Sequence, residues 1–564
     1  MKYFITYDNP LQRLLDITLT IDTRQLSTLE LKLPIWRPGR YEAANYAKNI
    51  QKITATSGQG HELPIRKPKP SYWEIECKEA NEVSIHYIYY AHEMDAGNSL
   101  LDEGMVYINF INCLLYLEDR MEEPHEVMLD LPDSYSIACS LKQDGYLLKA
   151  NSYYELADSP MIASDSLDYR TYEVDSYKFH IWIQGKHSLD MKALLDQFEQ
   201  FTKLQIEVMG GFPVSEYHFL FHILPYKHYH GVEHGASTVI TLGPSEEVSK
   251  KPFYNELLGV SSHELFHTWN ILKIRPKEMT PYDFGQPSVF PTGFVAEGYT
   301  TYYGDLFLKR SGVFSTEEYL NELEKLFKRH FLNYGRLNNS VYDSSIDLWF
   351  DGYQHSAPHK KSSIYVEGAV IALLLDLQIR LNSDHDRSLD DVMRILWKRF
   401  GKTQRGYTYN DIVRACEEVM GDSLGDFFDS YVKGTKDTKV LLVKLLAKFG
   451  LELSFKDRPN ILEKTLGILL VKKEDSNTIV SIEPESVGEQ YFSVRDQIKS
   501  INNKSVSKWV EEGKYEGELL FEALRHGNPV EMKVTLDFSN SYFLVPKVAE
   551  LKSLNKENEK AWHS

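Results

Sequence analysis

Residues 255–272 read NELLGVSSHELFHTWNIL, and the pentapeptide His263-Glu264-Leu265-Phe266-His267 inside this stretch decides how the chain is to be understood. On an α-helix, positions i and i+4 share one face about 6 Å apart, so both imidazoles can reach the same zinc ion. Glu264 then points near the open coordination position, where a water can be activated. The apolar spacing predicts a helix over residues 255–274, closed by Pro276. A hydrolytic zinc site needs a third protein ligand. Asn270 stands where the three-histidine pattern HExxHxxGxxH requires Gly, so that arrangement is disfavoured. The alternative is a carboxylate on a later helix, and Glu297, in FVAEGYTTYY (294–303), opens a helical segment at the right distance along the chain.

Around this centre the texture changes twice. Before residue 165 apolar side chains alternate, in DITLTID (16–22), LELKLPIW (29–36) and EVSIHYIYY (82–90), with Pro and Gly between them, which predicts a β-sandwich-like unit. From about 190 to 435 helical spacing dominates, with helices expected around 296–310, 316–330, 364–380 and 388–400 and a strand at 217–226. Past Thr435 short strands return at 466–471, 478–482, 496–501 and 530–536, with a helical pattern at 517–525. The polar tail ELKSLNKENEKAWHS is expected to fray. The fold class is thus multidomain α+β.

Composition removes whole classes of function. The 564 residues carry 63 Lys+Arg against 81 Asp+Glu, and the net charge of −18 repels phosphate backbones and anionic membrane surfaces. Neither nucleic acid nor membrane is expected as a partner. Cys77, Cys113, Cys139 and Cys416 are scattered without a CxxC pair, so they read as buried small hydrophobes. No apolar run reaches signal-peptide or spanning length. A cytoplasmic protein is expected, or a periplasmic one if a signal has been removed.

SHELFHTWN followed by AEGYTTYYGD resembles the zinc core of the glycyl aminopeptidase family, thermolysin-like peptidases with an N-terminal β domain and a PDZ-like C-terminal module. LPIWRPGRY (33–41), LADSP (156–160), YHGVEHGAST (229–238) and DFFDSYVKGT are similar to further markers of that family. The resemblance implies an N-terminal β domain over 1–170, a thermolysin-like, mainly helical zinc peptidase domain over 171–440, a PDZ-like module over 441–545 and a polar tail over 546–564. It implies one zinc ion per chain, held by His263, His267 and Glu297, with Glu264 as general base. It also implies Glu233 as the carboxylate that receives the α-ammonium of a peptide with a free N-terminus, with His234 and Ser237 on the same wall. Tyr365 is similar to the oxyanion tyrosine of related aminopeptidases; Tyr302, Tyr303 and Tyr353 are rivals. Three positions depart from the family or its relatives: Val295 replaces a tryptophan, Glu367 replaces a lysine, and Thr301 follows Glu297 by four where thermolysin has Asp, leaving Thr301 or Asp305 to orient a histidine.

In the last module Thr465-Leu466-Gly467-Ile468-Leu469 resembles a PDZ carboxylate-binding loop, which implies capture of a peptide C-terminus. The expected function is a zinc aminopeptidase removing small N-terminal residues, Gly or Ala. The alternatives are a non-catalytic peptide-binding scaffold and a zinc endopeptidase.

Overall fold

The computed structural model describes residues 1–564 apart from 474–475, 514, 516, 552–555 and 564. In the first third, alternation becomes sheet as expected. A seven-stranded sheet is ordered, by strand, 142–144, 147–150, 125–129, 2–6, 14–22, 82–90 and 50–57. Its inward-facing positions, Leu15, Ile17, Leu19 and Ile21 on one strand and Val83, Ile85 and Tyr87 on its neighbour, are fully buried. A four-stranded and a three-stranded sheet complete this part. The stretch expected as a strand over 29–36 pairs only over Thr28–Lys32. Beyond Lys32 the chain leaves the sheet as a strap, residues 33–41, that crosses onto the helical part of the protein.

The middle third is built on a five-stranded sheet of β1 (Asp168–Val174), β2 (Tyr177–Gln184), β3 (Glu216–Ile223), β4 (His228–His234) and β5 (Ser237–Gly243), ordered β1-β2-β3-β5-β4. β4 is an edge strand, antiparallel to β5. Helix α1 (Met191–Met209) covers one face through Leu194, Phe198 and Phe201. The HExxH helix α2 (Lys251–His267) follows the sheet. It stops at His267, short of the expected 274, because Asn270 bridges to Ile274 and Ile271 takes a left-handed φ of 99°. Next come a π-helical turn, Phe294–Tyr299, running directly into α3 (Thr300–Arg310), then α4 (Thr316–Phe331) behind a Ser315/Glu318 capping box, and α5 (Ile364–Asn382). The π turn touches α5 at a glycine crossing: a Cβ on Gly368 would lie 2.5 Å from the carbonyl oxygen of Phe294 and 2.7 Å from Cα of Gly298.

The C-terminal module has its own core, formed by Leu462, Ile468, Ile479, Ile498, Trp509, Phe521 and neighbours, and a five-stranded sheet. The helix expected over 517–525 is instead the strand Glu518–Arg525, in which Leu519, Phe521 and Ala523 point inward at period two. The tail does not fray where it is described. Val545–Glu550 pairs with Leu451–Lys456, and in the helix Lys556–His563 the Trp562 ring is fully buried, its Nε1 donating to Tyr302 Oη at 2.9 Å. The four cysteines are free and buried. Among the described residues no helix is long and apolar enough to cross a membrane.

The glycine crossing fixes where the π turn, and with it Glu297, sits against α5. Gly368→Ala is therefore expected to cost about 1–3 kcal/mol by overpacking and to weaken zinc retention at the same time. Calorimetric unfolding and chelator competition on the purified variant read both; an unchanged thermal midpoint with unchanged metal affinity would refute the crossing's role.

Candidate metal and active site

His263 and His267 project from the C-terminal end of α2, one helical turn apart, with their Nε2 atoms facing each other at 3.0 Å. Glu297 comes from the π turn, and its Oε2 lies 3.4 Å from His267 Nε2 and 3.9 Å from His263 Nε2. The three ligand atoms fall within 4.8 Å of one another. A π turn moves the side chain it carries off the ordinary helical register; here it delivers Glu297 to the histidines. His267 and Glu297 are buried and His263 is half-buried, leaving one side of the centre reachable from the cleft.

Two groups to which the sequence reading gave no supporting role hold these ligands. The Asn270 carbonyl accepts from His267 Nδ1 at 2.9 Å, which leaves Nε2 free for a metal. The Asn270 amide donates to the Val295 carbonyl at 2.8 Å and to Thr300 Oγ1 at 3.0 Å, so the same residue ties the end of α2 to the π turn. Thr300, and neither Thr301 nor Asp305, is the hydroxyl close to His267 Nδ1, at 3.4 Å. Thr301 and Asp305 line the cleft instead. The second group is Tyr41 of the strap, which donates to Glu297 Oε1 at 3.2 Å. One oxygen of the carboxylate is thereby held by the phenol and the other is turned to the histidines.

The strap is anchored by Trp36, whose indole donates to the Asp283 carbonyl at 2.8 Å and packs edge-on against Trp349. It carries Gly39 onto Glu233. At φ +77°, a Cβ on Gly39 would stand 2.4 Å from Glu233 Oε2, so only glycine fits. On β4, Gly231 lies equally close to Glu264: an added Cβ would meet its Oε1 at 2.2 Å.

Glu233, Glu264 and His267 form a second converging set that shares His267 with the first. Burial, followed by the charge of Glu297, raises the Glu233 carboxyl above its ordinary range, against the pull of His267. Burial also raises Glu264 well above that range, with Glu233 and Glu297 adding to it and His267 opposing. Burial and His267 hold His263 well below a normal histidine. For His267 burial works downward, but Glu233, Glu297 and Glu264 outweigh it and raise it to about 10. Glu233 Oε1 and Glu264 Oε2 are buried with no hydrogen-bond partner. A pocket holding this much carboxylate charge with orphaned oxygens, two imidazole nitrogens and a carboxylate oxygen all converging fits a divalent cation with N/O preference.

Of the remaining expected residues, Tyr365 lines the cleft and is hydrogen-bonded to Tyr353, which also lines it. Burial, Glu297 and Tyr353 keep the Tyr365 phenol well above its usual range, and burial with Glu297 raises Tyr353 to about 12, so both remain neutral donors. Tyr302 and Tyr303 donate to Asp376 and Asp390 and are core. His234 and Ser237 are not brought to the cleft. They pair across the β4–β5 turn on the face opposite Glu233, where Asp158 of the LADSP segment accepts from His234 Nδ1 at 3.0 Å and from the Gly235 amide at 2.8 Å. Glu367 faces away as well, paired with His330 at 2.6 Å. His180, Glu216 and His218 also cluster, but the Trp182 indole donates to His218 Nδ1, which puts the proton on Nε2 and removes that ligand. In the C-terminal module Thr465 and Leu466 end the helix Ile461–Leu466, and the Gly467 amide caps it by donating to Glu463. That amide is not available to a peptide carboxylate.

The converging ligand set and the profile matches that follow support a metallopeptidase. The profile of the peptidase M61 N-terminal domain matches residues 2–165 and that of the M61 glycyl aminopeptidase matches residues 256–371. Both matched profiles are domains of the M61 glycyl aminopeptidase family, the N-terminal one and the peptidase one, in the order the sequence leads one to expect. The chain shares its fold end to end with an aminopeptidase N family protein from Idiomarina loihiensis, at a TM-score of 0.90 and 24% identity over 100% of both chains. It also resembles an M1 zinc metallopeptidase from Deinococcus radiodurans solved with a Tyr-Ser-Ala substrate, at a TM-score of 0.49 and 15% identity over 77% of this chain and 94% of the other. No curated protein matches the chain by sequence.

Removing the Tyr41 hydroxyl frees one oxygen of Glu297. Tyr41→Phe is expected to lower zinc affinity on the order of tenfold while far-ultraviolet circular dichroism stays unchanged. Chelator competition measures this, and an affinity equal to that of the unmodified chain would contradict the assignment.

Proposed function

We propose that the chain is a zinc aminopeptidase that removes small N-terminal residues, Gly or Ala, from peptides. The observation that carries this reading is the strap. Pro38 lines one cavity and Gly39 and Arg40 another, the catalytic cleft, so the strap is the partition between them. It closes the cleft at Glu233. An endopeptidase needs room for chain on both sides of the scissile bond, and this partition favours a substrate that ends there.

His263, His267 and Glu297 would hold the zinc. When bound, the ion lowers the pKa of a water toward 7 and polarises the scissile carbonyl. Glu264, held against Gly231 of the edge strand, takes the proton of the attacking water and passes it to the departing amine. Glu233 receives the α-ammonium, a charge pair strengthened by burial on the carboxylate's side. Tyr365, with Tyr353 hydrogen-bonded to it, donates to the oxygen on which negative charge develops, a contribution of about 3 kcal/mol for one well-placed donor. The peptide backbone adds along β4, whose outer edge offers its own N–H and C=O groups. The preference for Gly or Ala follows from the same contact, because a strap that touches Glu233 through a bare Cα leaves little depth for the first side chain.

Glu264→Gln is expected to keep zinc at near one equivalent while peptide turnover falls by at least about a thousandfold. Metal analysis beside a turnover assay decides this, and retained activity would sink the mechanism. Tri-alanine is expected to be cleaved and its N-acetyl form to resist, with Glu233→Gln narrowing the difference by raising KM for the free amine. Equal cleavage of both peptides by the unmodified chain would overturn the exopeptidase reading.

A further inference from the structure

The catalytic cleft is a cavity of about 750 Å³ that does not end at the metal ligands. His263 and Glu264 line one part of it, and His228, Tyr229, Lys325 and Arg329 line another. The direction of a bound peptide follows from β4, given the aminopeptidase reading on which this inference rests. With its N-terminus at Glu233, a peptide added antiparallel to the edge strand runs past Gly231 toward Tyr229 and His228. Four strand positions at about 3.3 Å each span about 13 Å, the length of three to four residues.

At that distance the lining carries cations as well as acids. α4 presents Lys325 and Arg329 to the cleft, where both act on Asp305, and Arg329 also acts on the Tyr229 phenol. Lys325 is matched by Glu322 at 2.7 Å. Arg329 is exposed and has neither an ion pair nor a hydrogen bond among the described residues. Burial and Glu322 raise the Asp305 carboxyl to about 7, against Lys325 and Arg329, so near neutrality Asp305 cancels only part of the guanidinium. Glu256, exposed on α2, also lines the cleft and acts on the Tyr229 phenol, but it makes no ion pair with Arg329. Buried carboxylates thus stand where an ammonium would lie, and three to four residues away the lining offers a guanidinium held by no ion pair among the described residues.

We propose that Arg329 receives the C-terminal carboxylate of the substrate, so that the site takes short peptides of three to four residues as zwitterions, gripped at both ends. A guanidinium offers a carboxylate two parallel N–H donors, and the pairing is lost when the C-terminus is amidated or lies further along a longer chain.

Binding separates this capture from turnover. Zinc-loaded Glu264→Gln protein is titrated calorimetrically with tri-alanine, tri-alanine amide and hexa-alanine. The free acid is expected to bind about tenfold more tightly than the amide, the size of one charge-assisted hydrogen bond, and more tightly than hexa-alanine. Adding Arg329→Ala removes the acid preference, and Arg329→Glu reverses it. Equal affinities for acid and amide, or a preference that survives Arg329→Glu, would overturn the proposal. Turnover of alanine p-nitroanilide by the unmodified chain tests the aminopeptidase reading separately. If the anilide is inert while the acid preference and its reversal hold, that reading falls and carboxylate capture stands.

Discussion

Three carboxylates, Glu233, Glu264 and Glu297, are buried around a single imidazole, His267, and their mutual repulsion in a desolvated space has to be met by positive charge. In water such a group of acids would separate. In the protein it cannot, because each carboxylate is fixed by a different element: α2 carries Glu264, the π turn before α3 carries Glu297, and the edge strand β4 carries Glu233. A divalent cation bound there would relieve the strain, and by linkage its binding free energy would become part of the stability of the domain.

What holds these elements together is a small set of close contacts. Asn270 clamps the end of α2 to the π turn. Gly298 and Gly368 let the π turn approach α5 with no side chain between them. The strap brings the N-terminal part of the chain into the site, with Trp36 as anchor, Gly39 against Glu233 and Tyr41 on Glu297. The β-rich first third is thus a wall of the candidate site, and loss of its packing would be felt at the converging ligand atoms. The −18 net charge takes its meaning here: most acids are a solvated surface, while three are sequestered where a cation and an ammonium would be drawn in.

Much of the architecture was legible because its signals are local. Alternation in 16–22 and 82–90 survives as strand, the first extended back to Leu14, and the Ser315/Glu318 pair starts α4 where helical spacing begins. The misreadings have physical causes. LLFEALR in 517–525 satisfies both a helical and an alternating pattern, and only pairing with Gln497–Ile501 and Asn528–Thr535 selects the strand. The polar tail hides one large apolar residue, Trp562, whose burial against Tyr302 was invisible until α3 and its neighbours defined its slot.

The sequence by itself determined that His263 and His267 share a face, because i and i+4 positions need nothing beyond a helix, and it pointed to Glu297, whose carboxylate the fold brings to them. It also determined which segments are strand-rich and which helical. Only the tertiary structure decided what surrounds that centre. Tyr41 and Gly39 lie more than 190 positions from Glu233 and Glu297, and His234 and Ser237, beside Glu233 in sequence, face the other way. Contacts of that kind depend on how a strap, an edge strand and a π turn pack together, and no period or spacing along the chain encodes them.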